Sequence, residues 1–224
     1  MKSFYSLALV VMIAGCGTNR INQTNQTVVF MGDSITYIWG LSSVSPAFQQ
    51  HPSWIDAGVG GNTSGEMVAR FQQDVIAKLP SVVAILAGTN DVYPGWTLCG
   101  AGGPTDSCHN IMWMVSRAQS NGIRPILATI PPWGCNEALC ALAEVADSDP
   151  GRYERINTLN QWITTYGRQE GLVVIDYWSV LVANDQKAYI PSLTMDGVHP
   201  SAQGYVIMSP LIESALTQMG GTGR

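Results

Sequence analysis

The sequence predicts a three-layer α/β/α sandwich around a central, mostly parallel five-stranded sheet, and three observations carry that expectation. Short apolar runs alternate along the chain with helical stretches, the order of a sheet whose crossovers are helices. One run, residues 81–87 with Val82, Val83, Ile85 and Leu86, has the unbroken apolar character of a strand buried on both faces. Three glycine-rich segments, Gly32-Asp33-Ser34, Gly58-Val59-Gly60-Gly61-Asn62-Thr63 and Gly88-Thr89-Asn90-Asp91, each follow such a run. They therefore converge on one edge of the sheet, where parallel α/β folds bind ligands. The 224 residues, 46% hydrophobic and 12% charged, supply one full-sized core and too little charge for disorder. A net charge of -5 without any Lys/Arg cluster argues against a nucleic-acid partner.

Residues 1–15 stand apart from the fold. Lys2 gives a basic start, residues 7–14 form a short apolar run, and Ile13-Ala14-Gly15-Cys16 places small residues directly before a cysteine. The run is shorter than the roughly 20 residues that span a bilayer. It resembles a bacterial lipoprotein signal, whose lipobox these four residues match position by position. That resemblance implies cleavage before Cys16, lipidation of Cys16, and a membrane contact through the N-terminal lipid anchor. Gly17 stands where an Asp would retain such a protein at the inner membrane, which points to an exported lipoprotein of the outer membrane, facing the periplasm or the cell surface. Residues 16–26, rich in Asn, Gln and Thr, read as a polar tether. Residues 27–219 read as the folded domain and 220–224 as a flexible tail.

Within the domain the first strand covers 27–31. Gly32 permits a tight turn, so Ser34 sits at the exposed junction with a helix over 35–39. Residues 41–52 read as a loop and 53–57 as a second strand. Thr63 and Glu66 form a capping box, and Met67, Phe71 and Val75 recur every four residues, which predicts a helix over 64–79. The glycines at 58–61 thus precede a helix N-terminus, where N–H groups lack partners and the dipole favours negative charge. Pro80 ends that helix, and the strand at 81–87 follows. A surface loop at 92–105 leads to a helix over 107–121 with Gly122 as its stop. A strand over 124–130 ends at Pro131-Pro132, and a long loop then carries Trp133, Cys135 and Cys140. The remaining elements are a helix over 152–169, a strand over 172–176, and an apolar helix over 201–219 with Pro200 at its first turn.

Export would expose Cys99, Cys108, Cys135 and Cys140 to an oxidising compartment, so disulfides are expected. Of three possible pairings, Cys99 with Cys108 and Cys135 with Cys140 are preferred, because each closes one short loop. His51, His109 and His199 lack metal-site spacing, so neither a metal nor another cofactor is expected.

Acyl transfer requires a nucleophile, a base, a group that orients the base, and donors aimed at the developing oxyanion. Ser34 supplies the nucleophile and His199 the base, with Asp196 three residues before it. The Ser34 and Gly61 N–H groups and the Asn90 side-chain amide supply the donors. Asp176 is the second choice for orienting the base. His51 and His109 read as solvated or structural, and Asp33 and Asp91 as acceptors that shape their turns.

Together with Asp196-Gly197-Val198-His199-Pro200, these segments, in this order, resemble the SGNH hydrolases, the GDSL esterase and lipase superfamily, over residues 30 to about 219. The lysophospholipase-like and acetylhydrolase-like bacterial branch is the most similar. The resemblance implies a flavodoxin-like sandwich and hydrolysis of small carboxylic esters, short-chain or acetyl, through an acyl-enzyme on Ser34. An acyltransferase using the same residues and a non-catalytic binding lipoprotein are the alternatives. The loops at 93–108 and 133–149 are longer and richer in cysteine than is usual in that branch. Trp96 and Trp133 on them, with Tyr37 near the serine, are candidate substrate contacts. Nothing in the sequence addresses oligomeric state.

Overall fold

The computed structural model describes residues 26–95, 98–100, 105–134, 149, 151–184 and 187–221. Cys16, Trp96, Cys135, Cys140, the signal and tether readings before residue 26 and the last three residues of the tail lie outside them.

Five strands, β1 (Val28–Gly32), β2 (Trp54–Gly58), β3 (Val82–Ile85), β4 (Arg124–Ala128) and β5 (Val173–Ile175), form one sheet in the order β2-β1-β3-β4-β5. Every pairing is parallel: Met31 lies beside Ala57 and Ile85, and Leu127 beside Ile85 and Val174. Among the described residues seven α-helices cover it: α1 (Ser34–Gly40), α2 (Ala47–Gln50), α3 (Ser64–Asp74), α4 (Ser107–Gln119), α5 (Arg152–Gln169), α6 (Tyr177–Leu181) and α7 (Ala202–Gly221).

Alternate strand residues point to opposite faces and build two cores. Val29, Met31, Val83 and Ile85 pack with Met67, Phe71, Met114 and Leu159 of α3, α4 and α5. Val28, Phe30, Val82 and Ile126 pack with Trp39, Tyr177, Tyr205 and Met208 of α1, α6 and α7. Full burial of each such side chain contributes about 1.5–3 kcal/mol. The Tyr205 hydroxyl also donates to the Ile35 carbonyl at 2.8 Å, which ties α7 to α1.

Chain direction then positions the site. The crossover after β1 passes over one face and those after β2, β3 and β4 over the other, so the strand order reverses between β1 and β3. At such a point the departing loops diverge and leave a crevice at the carboxyl ends of the strands.

The structure changes three sequence-based expectations. The helix expected over 64–79 stops at Asp74 and passes through a single 3-10 turn, Ile76–Lys78, to Leu79 at φ 50°. Pro80 disfavours right-handed helix in the preceding residue, so the helix does not continue through Leu79. The loop at 41–52 contains α2. After β5 the chain forms α6, capped by the Asp176 carboxylate, which accepts from the Ser179 N–H at 3.1 Å.

Candidate active site

Gly32 ends β1 where a Cβ would lie 2.0 Å from Thr36 Oγ1, so only glycine lets the strand pass directly into α1. Asp33 caps α1, its Oδ1 accepting from the Ile35 N–H at 2.8 Å. Burial raises the Asp33 pKa to about 6, the Ile35 bond offsetting only part of that effect. Ser34 is thereby fixed as the first residue of α1, half-buried at the carboxyl edge of the sheet. Among the described residues its N–H, one of the unpaired donors of a helix start, has no acceptor.

His199 reaches the same place from the loop before α7. Thr194 organises that loop: its hydroxyl donates to the His199 carbonyl at 2.8 Å and accepts from the Gly197 N–H at 2.8 Å. The buried Tyr189 hydroxyl donates to the Val198 carbonyl at 3.0 Å, and the Gly134 N–H donates to the Gly197 carbonyl at 2.8 Å. Asp196 Oδ1 accepts from the Val198 and His199 N–H groups at 2.9 and 2.8 Å, while Oδ2 lies 2.6 Å from His199 Nδ1. Burial works to raise the Asp196 pKa, but the bonds from the His199 ring and the two N–H groups outweigh it and hold the pKa at about 2. The ionised carboxylate can only accept, so Nδ1 carries the ring proton. Nε2, 2.8 Å from Ser34 Oγ, is then the acceptor for the serine hydroxyl.

The second and third segments face this pair across the β1/β3 crevice. Gly61 adopts φ 75°, a left-handed conformation suited to glycine, and among the described residues its N–H carries no hydrogen bond. Thr63 caps α3 through the complete capping box with Glu66. The Asn90 amide donates one hydrogen to the Asn62 carbonyl at 3.0 Å, which orients the group. Asp91 is an acceptor as expected, but it braces separate segments rather than its own turn. It takes the Ser64 N–H, the Ser64 hydroxyl and, at 3.0 Å, the Ser107 hydroxyl, while burial raises its pKa. The structure therefore joins Ser34, His199 and Asp196 by hydrogen bonds and places Gly61 and Asn90 in the segments that follow β2 and β3, the strands on either side of β1.

The remaining candidates take other places. Tyr37 is exposed one turn after Ser34. Trp133 is half-buried, its ring covered by the Arg152 guanidinium at 4.3 Å and met edge-on by Tyr93 at 6.3 Å, so it packs the wall behind the His199 loop. Asp176 caps α6 and accepts from Thr129, remote in its bonding from His199. His51 stacks on Trp54 and bonds Glu213. Cys99 and Cys108 form a disulfide with Cα atoms 5.0 Å apart. Among the described residues no His, Cys, Asp or Glu side chains gather as metal ligands.

Three residues of this site escaped the sequence reading. Thr194, two positions before Asp196, has the composition of a hydroxyl-stabilised turn that could have been noticed. Tyr189 carries no local signal. Arg70, whose guanidinium reaches the Gly32 and Ala57 carbonyls and the Asn62 side chain, looks in sequence like half of a surface pair with Asp74.

Comparison with known proteins identifies relatives of this chain. A family model described as GDSL-like lipase/acylhydrolase matches residues 30–207. A GDSL-like lipase from Bacteroides thetaiotaomicron is 33% identical and superposes with a TM-score of 0.72 over 88% of this chain and 90% of that one. The uncharacterized lipoprotein YqeF of Bacillus subtilis is 29% identical over 150 residues, a match that spans 59% of this chain and 58% of that protein. At 20% identity, a mutant of an acetylxylan esterase from Geobacillus stearothermophilus shares the fold, with a TM-score of 0.64 over 86% of this chain and 94% of that one.

Proposed function

The chain belongs to the GDSL-like lipase/acylhydrolase family, and from that premise we propose that it is a serine esterase cleaving small carboxylic esters through an acyl-enzyme on Ser34. The observation that carries the reading is the unbroken relay from Ser34 Oγ through the His199 ring to Asp196, with steps of 2.8 and 2.6 Å.

Nε2 of His199 takes the hydroxyl proton as Oγ bonds to the ester carbonyl carbon, and the ionised Asp196 stabilises the imidazolium that forms. The carbonyl oxygen becomes an oxyanion facing the Ser34 N–H, the Gly61 N–H and the free hydrogen of the Asn90 amide. Each such donor is worth about 2.7–4 kcal/mol in the transition state, because it is aimed before the charge develops. As the intermediate collapses, His199 passes its proton to the departing alcohol and the acyl group stays on Ser34. Water, deprotonated by His199, attacks that ester; the acid leaves and the serine is restored.

Short acyl groups, acetyl foremost, are the expected substrates, in keeping with the acetylhydrolase-like resemblance. The lipobox at Cys16, with the lipoprotein name of the Bacillus subtilis relative, supports an exported, lipid-anchored enzyme. A fluorophosphonate probe tests the mechanism: it labels Ser34 in the folded protein, and Ser34→Ala loses both the label and hydrolysis of a chromogenic acetate ester. Folded wild-type protein that takes no label sinks the reading. Product analysis with an added alcohol acceptor separates hydrolysis from acyl transfer, and esters graded by chain length define the acyl preference.

A further inference from the structure

Arg70 lies on α3, less than two turns from its cap, and no motif calls attention to it. Its guanidinium spreads over three separate segments. Nε donates to Asn62 Oδ1 at 2.6 Å, Nη1 to the Ala57 carbonyl at 2.8 Å, and Nη2 to the Gly32 carbonyl at 2.8 Å. Nη1 also pairs with Asp74 Oδ2 at 2.8 Å. Gly32 is two residues before Ser34, and Asn62 directly follows Gly61. The Asn62 carbonyl in turn receives the Asn90 amide at 3.0 Å. One rigid, planar fork thus ties the end of β1 to β2 and to the Asn62 side chain in the loop after it, and that loop in turn holds the Asn90 amide, with a geometry that an ammonium cannot reproduce.

The contact to Gly32 is not needed to satisfy its carbonyl. The Gly32 carbonyl already accepts from the Val59 N–H at 3.1 Å, so loss of the arginine leaves no orphaned acceptor there. What the guanidinium adds is a side-chain tie from that junction to Asn62, the residue next to Gly61.

Resting on the esterase reading above, we propose that Arg70 is a positioning residue that sets the spacing of the Ser34, Gly61 and Asn90 donors around the developing oxyanion. It touches no reacting atom. Its contribution falls on the transition state, since a misplacement of about 1 Å in such a site costs on the order of 10²-fold in rate. The ester ground state makes little use of these donors, so KM stays nearly constant.

The test compares Arg70→Ala, Arg70→Lys, Asn90→Ala, the double variant Arg70→Ala/Asn90→Ala, and Asp74→Ala, with folding of each checked by circular dichroism and thermal melting. On a chromogenic acetate ester Arg70→Ala lowers kcat by about 10²-fold with KM within about threefold. Affinity for a trifluoromethyl ketone, which forms a tetrahedral oxyanion on the serine, falls by a similar factor. The double variant is little worse than Asn90→Ala alone, because both changes disable one unit. Guanidinium, far below denaturing concentrations, restores part of the kcat of Arg70→Ala and none of that of Asn90→Ala. Asp74→Ala loses the ion pair but keeps kcat within about threefold, which separates donor positioning from loss of α3 stability. If Arg70→Ala does not fold, Arg70→Lys decides: a folded Lys variant with kcat within about threefold of wild type overturns the proposal. So does a folded Arg70→Ala with undiminished ketone affinity. Wild-type hydrolysis that survives Ser34→Ala overturns the esterase reading itself, and is seen in the same assay.

Discussion

Ser64 gives both its backbone N–H and its hydroxyl to the Asp91 carboxylate, joining the first turn of α3 to the segment that follows β3. Ser107, at the start of α4, donates to the same carboxylate. Asp91→Ala leaves these buried donors without an acceptor, each at a cost of about 1–3 kcal/mol. The expected loss is about 3–5 kcal/mol of unfolding free energy in a denaturant titration. Ser64→Ala removes one hydroxyl, which also accepts from the Asn110 amide at 2.9 Å, and spares the N–H, so it loses less, about 1–3 kcal/mol. Equal stability of the two variants would contradict the brace.

Asn90→Ala lowers kcat by about 10²–10³ on an acetate ester with KM little changed, because one oxyanion donor is lost. Asp196→Asn goes further, about 10⁴, since an amide in place of the carboxylate lets Nε2 carry the ring proton and blocks its role as base. Steady-state kinetics distinguish the two, and a larger loss in Asn90→Ala than in Asp196→Asn would reverse the assigned roles.

Stability should carry a pH dependence from Asp33. Its folded pKa of about 6 lies above the ordinary 3.8, so between those values the native state holds a proton that the unfolded chain has released. The protonated state favours folding below about pH 4, and that advantage is lost as pH rises to about 6. Asp33→Asn never ionises and lacks this loss. The unfolding free energy of wild type relative to the variant therefore drops by about 3 kcal/mol from pH 4 to pH 7. A difference that stays flat over this range rules out a buried, proton-holding Asp33.

The Cys99–Cys108 disulfide closes a short loop at the entry to α4, where the Cys108 N–H also donates to the Leu98 carbonyl at 2.8 Å. A loop of this length restricts the unfolded chain by about 2–3 kcal/mol. Replacing both cysteines by serine lowers the melting temperature by several degrees, about 2–4 °C for each kcal/mol in a domain of this size. Reductant lowers it by more in the wild type than in the variant.

Elements with a complete local code were readable from sequence. The Thr63/Glu66 box marked the start of α3, and α5 has the bounds that the pattern at 152–169 suggests, since Gly171 stops it cleanly. The strands at 81–87 and 124–130 were read too long because Leu86, Ala87 and Ile130 are buried beyond the last ladder pair, in the floor of the crevice. Apolarity reports burial, not pairing. The five residues of α6 are too few to display a helical period, and Asp176 alone could not announce it. In the site, Ser34, Gly61, Asn90, Asp196 and His199 stood out because their chemistry needs particular residue types at strand ends. Arg70 and Tyr189 did not, because their roles arise from which backbone atoms the fold brings within reach.

The direction of β1 has a consequence for what the enzyme can meet. The chain enters the sheet at Val28 and arrives at the crevice only at Gly32, so Ser34 opens on the side of the domain opposite the point where the upstream segment joins it. From Cys16 to Gln26 that segment has eleven residues, enough to extend about 40 Å at most. In a molecule held by a lipid on Cys16, the catalytic mouth would thus lie on the far side of the domain from the point of attachment. Such a stance favours esters arriving from the aqueous side over the acyl chains of the membrane that holds it.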